Sequence, residues 1–475
     1  MRGAHHPGTA GRPSVAVVSL TALVLATSLL LAGCGDRETT PTPRPTSTPA
    51  STPAAATGTP VHTMHLVVEP YRGDFGPLPE LGGAVVDVAT GATSGRYCFD
   101  PRRARWWPDG SGFGFLCFVS NSEMVVGQAR LQGERVEVEQ AYLLRGVQAR
   151  PGGMSWFIYP QDWAPDGRRL LVSAHSPPVP PDTATPAPAA GETEGELYVF
   201  DARSGAVQLV FSAPGRVRGE WSPRGDRIAV ARLLGFDARL RAQGAEVVII
   251  RADGSEPVVV RGPEGEDLYF DLACHAPLWM RCWSPDGSML IVKGARTALT
   301  LGALYVVRAD GTGLRQVSQD GMAFAGWSPD GRAVLVTAPT GDIYDWDILL
   351  LSPDGGAPRR VGRGLAPAWS PDGRSVAYDS GPCIERSVAR FDVATGRSTA
   401  LSGPLGALIQ LAWSPRGDVI AVSVIARPET SAVYLVQADG SGVRKLPVGP
   451  SWLLWSPRGT HLLVAPYVGD HCVYD

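Results

Sequence analysis

The stretch that decides the fold is Trp369-Ser370-Pro371-Asp372-Gly373, with Leu365-Ala366-Pro367-Ala368 ahead of it and Ser375-Val376-Ala377-Tyr378 behind. Its residue chemistry is that of a tight turn. Pro371 presets φ at the second turn position, Asp372 tolerates the bridge region at the third, and Gly373 supplies the left-handed conformation that closes a hairpin. With apolar runs on both sides, the unit reads as strand, turn, strand. Near-copies begin at Trp106, Trp163, Trp221, Trp283, Trp327, Trp413 and Trp455, the first as Trp106-Trp107-Pro108-Asp109-Gly110 and the last as Trp455-Ser456-Pro457-Arg458-Gly459.

Successive motif tryptophans are 57, 58, 62, 44, 42, 44 and 42 residues apart. A period near 42 with four short strands per unit is the signature of a β-propeller, and the longer early intervals are the same unit with loops added. The second strands, among them Arg227-Ile228-Ala229-Val230 and Met289-Leu290-Ile291-Val292, run almost without polar interruption, as strands covered on both faces do. The pattern W-S-P-D-G, an apolar strand, then a second hairpin ending in D-x-x-G or D-x-x-x-G resembles the TolB-type WD-like propeller repeat. The resemblance covers about residues 61–475. The expected fold is all-β: a single propeller with four antiparallel strands per blade, eight-bladed, or seven-bladed if one early copy is only an insertion. The likeness implies cell-envelope partners. TolB also carries an N-terminal domain that has no counterpart here, so its specific partner is not inherited.

The two ends are incomplete in complementary ways. Val85-Val86-Asp87-Val88-Ala89-Thr90-Gly91 resembles the second hairpin of a repeat, with Arg96-Tyr97-Cys98-Phe99 as its returning strand, and no W-S-P-D-G precedes it. Trp455 to Asp475 supplies only inner strands. The N-terminal segment is therefore expected to complete the last blade and remove free sheet edges.

Residues 1–33 read as a signal peptide. Arg2 and Arg12 precede an apolar run, Val15 to Leu31, shorter than the ~20 residues that span a bilayer. The segment ends in Leu31-Ala32-Gly33-Cys34, which resembles the bacterial lipobox. That likeness implies lipidation of Cys34 and attachment to a membrane outside the cytoplasm. Residues 34–60 form a tether. Between 36 and 60 it holds six Pro and eight Thr with no apolar period, a composition for extended polyproline II reaching about 75 Å at ~3.1 Å per residue. Residues 61–475 are the propeller. The net charge of −3 and the lack of a basic stripe exclude nucleic acid as an expected partner.

A repeated Asp invites a metal or catalytic reading, but Arg224, Arg416 and Arg458 occupy the same slot, so the position belongs to the turn. The Arg-Gly-Asp strings at 224–226 and 416–418 come from the repeat likewise. The eight motif tryptophans are expected to be core. Insertions at 146–162, 174–195, 233–244, 263–282, 340–346 and 424–431 fall in the turn class opposite the short W-S-P-D-G turns, which elaborates one face. Trp156, Tyr159, Tyr269, Trp279, Tyr344 and Trp346 on these insertions are the candidate ligand-binding residues, weighed evenly against rings that only pin their own loops.

Cys274 and Cys282 are expected to form a disulfide; Cys98, Cys117, Cys383 and Cys472 are available for further bridges, of which Cys98–Cys472 is attractive because both lie at the proposed closure. Asp342, Asp345 and Asp347 are close enough in sequence to ligate a hard cation, yet solvated turn acids are the simpler reading, and no metal or cofactor is expected. No Gly-x-Ser-x-Gly elbow, phosphate loop or His-rich cluster is present. The leading function is a lipid-anchored, non-catalytic module for a protein or peptide partner in the cell envelope. The alternatives are glycan or small-ligand binding and, last, a lyase or glycosidase using Arg105, Asp162 and Glu220, each of which directly precedes a motif Trp.

Overall fold

Each W-S-P-x-G turn forms as its residues dictate. In the computed structural model the Gly373 N–H donates to Ser370 O at 2.9 Å, and Gly373 has φ 69°. Ser370 Oγ donates to Asp372 Oδ1 at 2.6 Å and accepts the Ser375 N–H at 2.9 Å, which locks the hairpin. At Arg224 and Arg416, which replace the Asp, the Asp that follows the Gly takes over: Ser222 Oγ donates to Asp226 at 2.7 Å and Ser414 Oγ to Asp418 at 2.6 Å. The Arg-Gly-Asp strings are thus a second solution to the same turn.

The structure describes residues 65–467 except 73–82, 95–97, 100, 134, 148–154, 177–193, 237–241, 264–267, 275–280, 297–301, 343–344, 383–384 and 427–429. Eight antiparallel sheets follow one another along the chain, one per motif, so the propeller has eight blades rather than seven. Six sheets have four strands, blade 1 has five and blade 8 has three. Middle strands are covered by the neighbouring blades: Leu290, Ile291 and Val292 are each 0% exposed. Burying a side chain of this size stabilises the fold by roughly 1.5–3 kcal/mol.

Two short N-terminal strands straddle the seam between the first and last blades. β1 (Leu66–Pro70) lies outside blade 1, Leu66 opposite Gly146 and Pro70 opposite Tyr142. β2 (Ala84–Asp87) becomes the third strand of blade 8, from Ala84 opposite Val464 to Asp87 opposite His461. The expected closure is present, and β1 is an addition that the sequence pattern did not announce. The returning strand is shorter than expected: a single bridge joins Val86 to Thr93, Cys98 and Phe99 lie outside any strand, and Arg96 and Tyr97 fall outside the described residues.

Cys98 bonds to Cys117, not to Cys472. By Cys98 the chain has left blade 8 and runs beside the second strand of blade 1 (Gly112–Ser120), so the bridge fastens the incoming segment to blade 1. Cys472 lies outside the described residues.

The motif tryptophans join blade to blade. Trp327 Nε1 donates to Cys282 O at 2.9 Å, Trp413 to Ala368 O at 3.1 Å and Trp455 to Ala412 O at 3.0 Å. In each case the acceptor is the residue before the preceding blade's motif Trp. Trp283 to Glu220 O and Trp106 to Leu454 O repeat this at 3.4 Å, the last across the seam. The turns stack as well. A Cβ built on Gly373 would sit 3.4 Å from Pro329 Cδ, and one on Gly110 would sit 3.7 Å from Pro457 Cδ, so the ring of turns also closes across the seam.

Candidate functional site

The innermost strand of each blade ends at the motif Trp, and the residue before that Trp is the last to lie beside the axis. Around the ring this position holds Arg105, Asp162, Glu220 and Cys282 in blades 1–4, then Gly326, Ala368, Ala412 and Leu454 in blades 5–8. The charged half surrounds a cavity of about 300 Å³. Arg102, Arg103, Arg105, Asp162 and Arg281 supply its charges, and Leu116, Leu170, Leu454, Trp163 and Trp221 much of its apolar wall.

Arg281 arrives by an irregular route. In blade 4 the inner strand pairs Tyr269 with Ala295 and Leu272 with Val292. The next position is taken by Cys282, whose carbonyl accepts the Ile291 N–H at 2.9 Å, followed by Trp283 opposite Leu290. Leu272 and Cys282 therefore face consecutive partners, Val292 and Ile291, on the neighbouring strand. Cys274 and Cys282 are disulfide-bonded, with Cα atoms 5.5 Å apart. The sequence reading assigned 263–282 to an outer connection. Arg281, directly before Cys282 of the inner strand, instead lines the cavity.

There Arg281 forms an ion pair with Asp162 of blade 2. Asp162 Oδ2 also accepts the Trp221 N–H of blade 3 at 2.9 Å. Glu220 lies behind the cavity wall and is 6% exposed. Its carboxylate oxygens accept the Cys282 N–H at 2.9 and 3.2 Å, and Oε2 lies 2.7 Å from Cys274 Sγ. Burial, the largest influence, pushes the Glu220 carboxyl up to about 8 despite the neighbouring Arg281. Burial, followed by repulsion from Arg281, brings the Arg105 guanidinium down to about 10, and it stays charged at neutral pH. Among the described residues the Arg105 side chain has no hydrogen bond or ion pair.

Three donors, Glu220, Cys274 and Cys282, lie within 4.8 Å of one another, but both sulfurs are consumed by the disulfide. Asp345 and Asp347 face guanidinium groups: Asp347 pairs with Arg360 at 2.8 Å and with Arg363 at 3.2 Å, and Asp345 with Arg363 at 3.7 Å. The side chain of Asp342 lies outside the described residues.

The aromatic candidates do not assemble. Trp156 is 4% exposed and stacks on His65 at 3.9 Å, where His65 also bonds Glu196. Trp346 is 8% exposed within a strand of blade 5. Both pack as core and offer no open ring face. Tyr159 and Tyr269 are half-buried in the inner strands of blades 2 and 4, Tyr159 against His175 and Tyr269 beside Gly244. Trp279 and Tyr344 lie outside the described residues. What the sequence missed is Arg281; a cysteine directly ahead of a motif Trp, with a second eight residues before it, was the signal that something interrupts that strand.

No protein-family model matches the chain. Over 114 residues, 22% of the chain, it is 30% identical to the WD repeat-containing protein dyf-2 of Caenorhabditis elegans. That stretch spans only 8% of the worm protein. Among solved structures it is similar to Porphyromonas gingivalis dipeptidyl peptidase 4, with TM-score 0.50 and 14% identity, over 76% of this chain and 56% of that one. A putative TolB from Agrobacterium tumefaciens aligns with TM-score 0.33 and 19% identity, over 58% and 98%. The C-terminal WD40 domain of Sif2 aligns with TM-score 0.45 and 14% identity, over 84% and 100%. At such identities likeness speaks for the fold alone. With the turns and sheets described above, the chain is an eight-bladed β-propeller of WD-like repeats, consistent with the TolB type.

Proposed function

We propose that this propeller is a non-catalytic binding module of the bacterial cell envelope that takes a protein or peptide partner. The observation that carries the binding part is the axial cavity: a concave site with a few convergent charges and an apolar wall, on a closed scaffold. The membrane part rests on sequence, with a lipid on Cys34 and the tether up to residue 60 holding the ring off the bilayer. A crosslinking pull-down from intact cells tests the reading. A cell-envelope protein recovered with the wild-type chain supports it, and recovery of none overturns it. Cys34→Ala should move the protein from the membrane to the soluble fraction.

A second reading, a lyase or glycosidase, is favoured by Arg105 and Asp162 sharing one cavity. Against it, both carboxyls are committed: Asp162 to Arg281 and the Trp221 N–H, Glu220 to the Cys282 N–H. An acid that must move a proton to a substrate needs access to it, and Glu220 has none. Turnover of a polysaccharide abolished by Asp162→Asn would reinstate that reading. Glycan binding on the elaborated face has less support: among the described aromatics Trp156 and Trp346 are buried, and Tyr159 and Tyr269 belong to separate blades.

A further inference from the structure

We propose that the axial cavity is a carboxylate site in which Arg105 receives the C-terminal carboxylate of a peptide. The inference rests on the binding reading above and names its chemistry. Charge is the first argument. Arg105 and Arg281 line the cavity against one acid, Asp162, while the Arg102 and Arg103 guanidinium groups lie over the Trp452 and Phe118 rings. That acid is spent on Arg281 and the Trp221 N–H. Asp166, the other acid that acts on Arg105, pairs with Arg169 at 2.8 Å, and Glu220 is turned toward Cys282 and held largely protonated at neutral pH by burial. The site therefore carries an excess of positive charge, and among the described residues Arg105 has no hydrogen bond or ion pair, only longer-range attraction from Asp162 and Asp166. A desolvated cation without a hydrogen-bonding partner is costly, and a carboxylate that accepts two parallel N–H bonds from the planar guanidinium relieves it.

Size and lining select the rest of the ligand. About 300 Å³ is the small end of ligand pockets, room for a chain end rather than a segment passing through. Leu116, Leu170, Leu454, Trp163 and Trp221 suit apolar terminal side chains. A sugar acid would need partners for its hydroxyls. Of the uncharged polar groups in the lining, Gln161 donates to Ser173 and Ser222 to Asp226, and the Trp221 indole N–H, buried away from the opening, has no partner among the described residues.

The test uses two pools of random pentapeptides, one with free C-termini and one amidated, passed over the immobilised full-length protein and read by mass spectrometry. The free-acid pool should be retained about tenfold or more over the amide pool, with Leu, Val and Phe enriched at the last position. Arg105→Gln should erase that preference and Arg105→Lys should keep part of it, both with wild-type unfolding midpoints. Equal retention of the two pools by the wild type overturns the proposal whatever the variants do, and so does an undiminished preference in Arg105→Gln. Displacement by N-acetyl-leucine as effective as by peptide assigns the site to free small acids, and better displacement by galacturonate assigns it to sugar acids; either sinks the peptide. A cell-envelope partner captured equally by wild type and Arg105→Gln leaves the binding reading standing and removes the cavity from it. Capture of none by the wild type removes the reading itself.

Discussion

Blades 1–4 and blades 5–8 are built alike and edged differently. Both halves use the same Ser-anchored turn, and in both a motif Trp bonds to the blade behind it, Trp283 and Trp455 included. At the axis they part: Arg105, Asp162, Glu220 and Cys282 stand opposite Gly326, Ala368, Ala412 and Leu454. The Trp and the turn are held by neighbours on every side, whereas the residue just before the Trp has the channel beside it and is free to vary. The repeat makes the wheel, and its unrepeated position makes the site.

The largest expected effect probes what the halves share. Trp283→Ala in the charged half and Trp455→Ala in the apolar half should each cost about 3–5 kcal/mol in urea unfolding, since both rings are buried and both indoles bond the preceding blade. A marked gap between the two would mean that the halves are not equivalent scaffolds.

Next comes the feature that separates them. Glu220→Ala orphans the Cys282 N–H and should cost about 1–3 kcal/mol, whereas Glu220→Gln keeps an acceptor and should cost little at pH 5. Burial raises the Glu220 carboxyl from 4.5 to about 8, so between those values the folded protein keeps a proton that the unfolded chain releases. Wild-type stability should fall as pH rises across that window and level off above it. Glu220→Gln should flatten this fall, seen as thermal midpoints compared from pH 5 to 9. An unchanged slope would place the proton elsewhere.

The smallest effect tests the turn. Asp418→Ala should cost about 1 kcal/mol by stranding Ser414, while Arg416→Ala should stay within about 0.5 kcal/mol. Urea midpoints in the reverse order would return importance to the Arg slot.

The fold was legible because Pro and Gly at fixed offsets, with Asp or Arg between them, leave the backbone one economical path, repeated eight times. The closure was legible because two partial units complement each other. β1 carries no such offset signal: Leu66-Val67-Val68-Glu69-Pro70 is a short apolar run whose partner lies far along the chain. Arg105, Asp162 and Glu220 could be singled out by their place before a Trp. Arg281 could not, because register within blade 4 is interrupted and no local pattern says on which side of the sheet Arg281 falls. The aromatics misled for a related reason. Trp156 and Trp346 sit in sequence beside loops, yet His65 and the strands of blade 5 cover them.

The paired N-terminal strands have a mechanical consequence. Any pull on the chain ahead of His65 falls first on β1, the outermost ribbon of blade 1, and peeling it away leaves that blade its other four strands. β2 and the Cys98–Cys117 link come next along the line of load, before any inner strand does. The molecule thus carries a sacrificial grip at the end where it would be tugged.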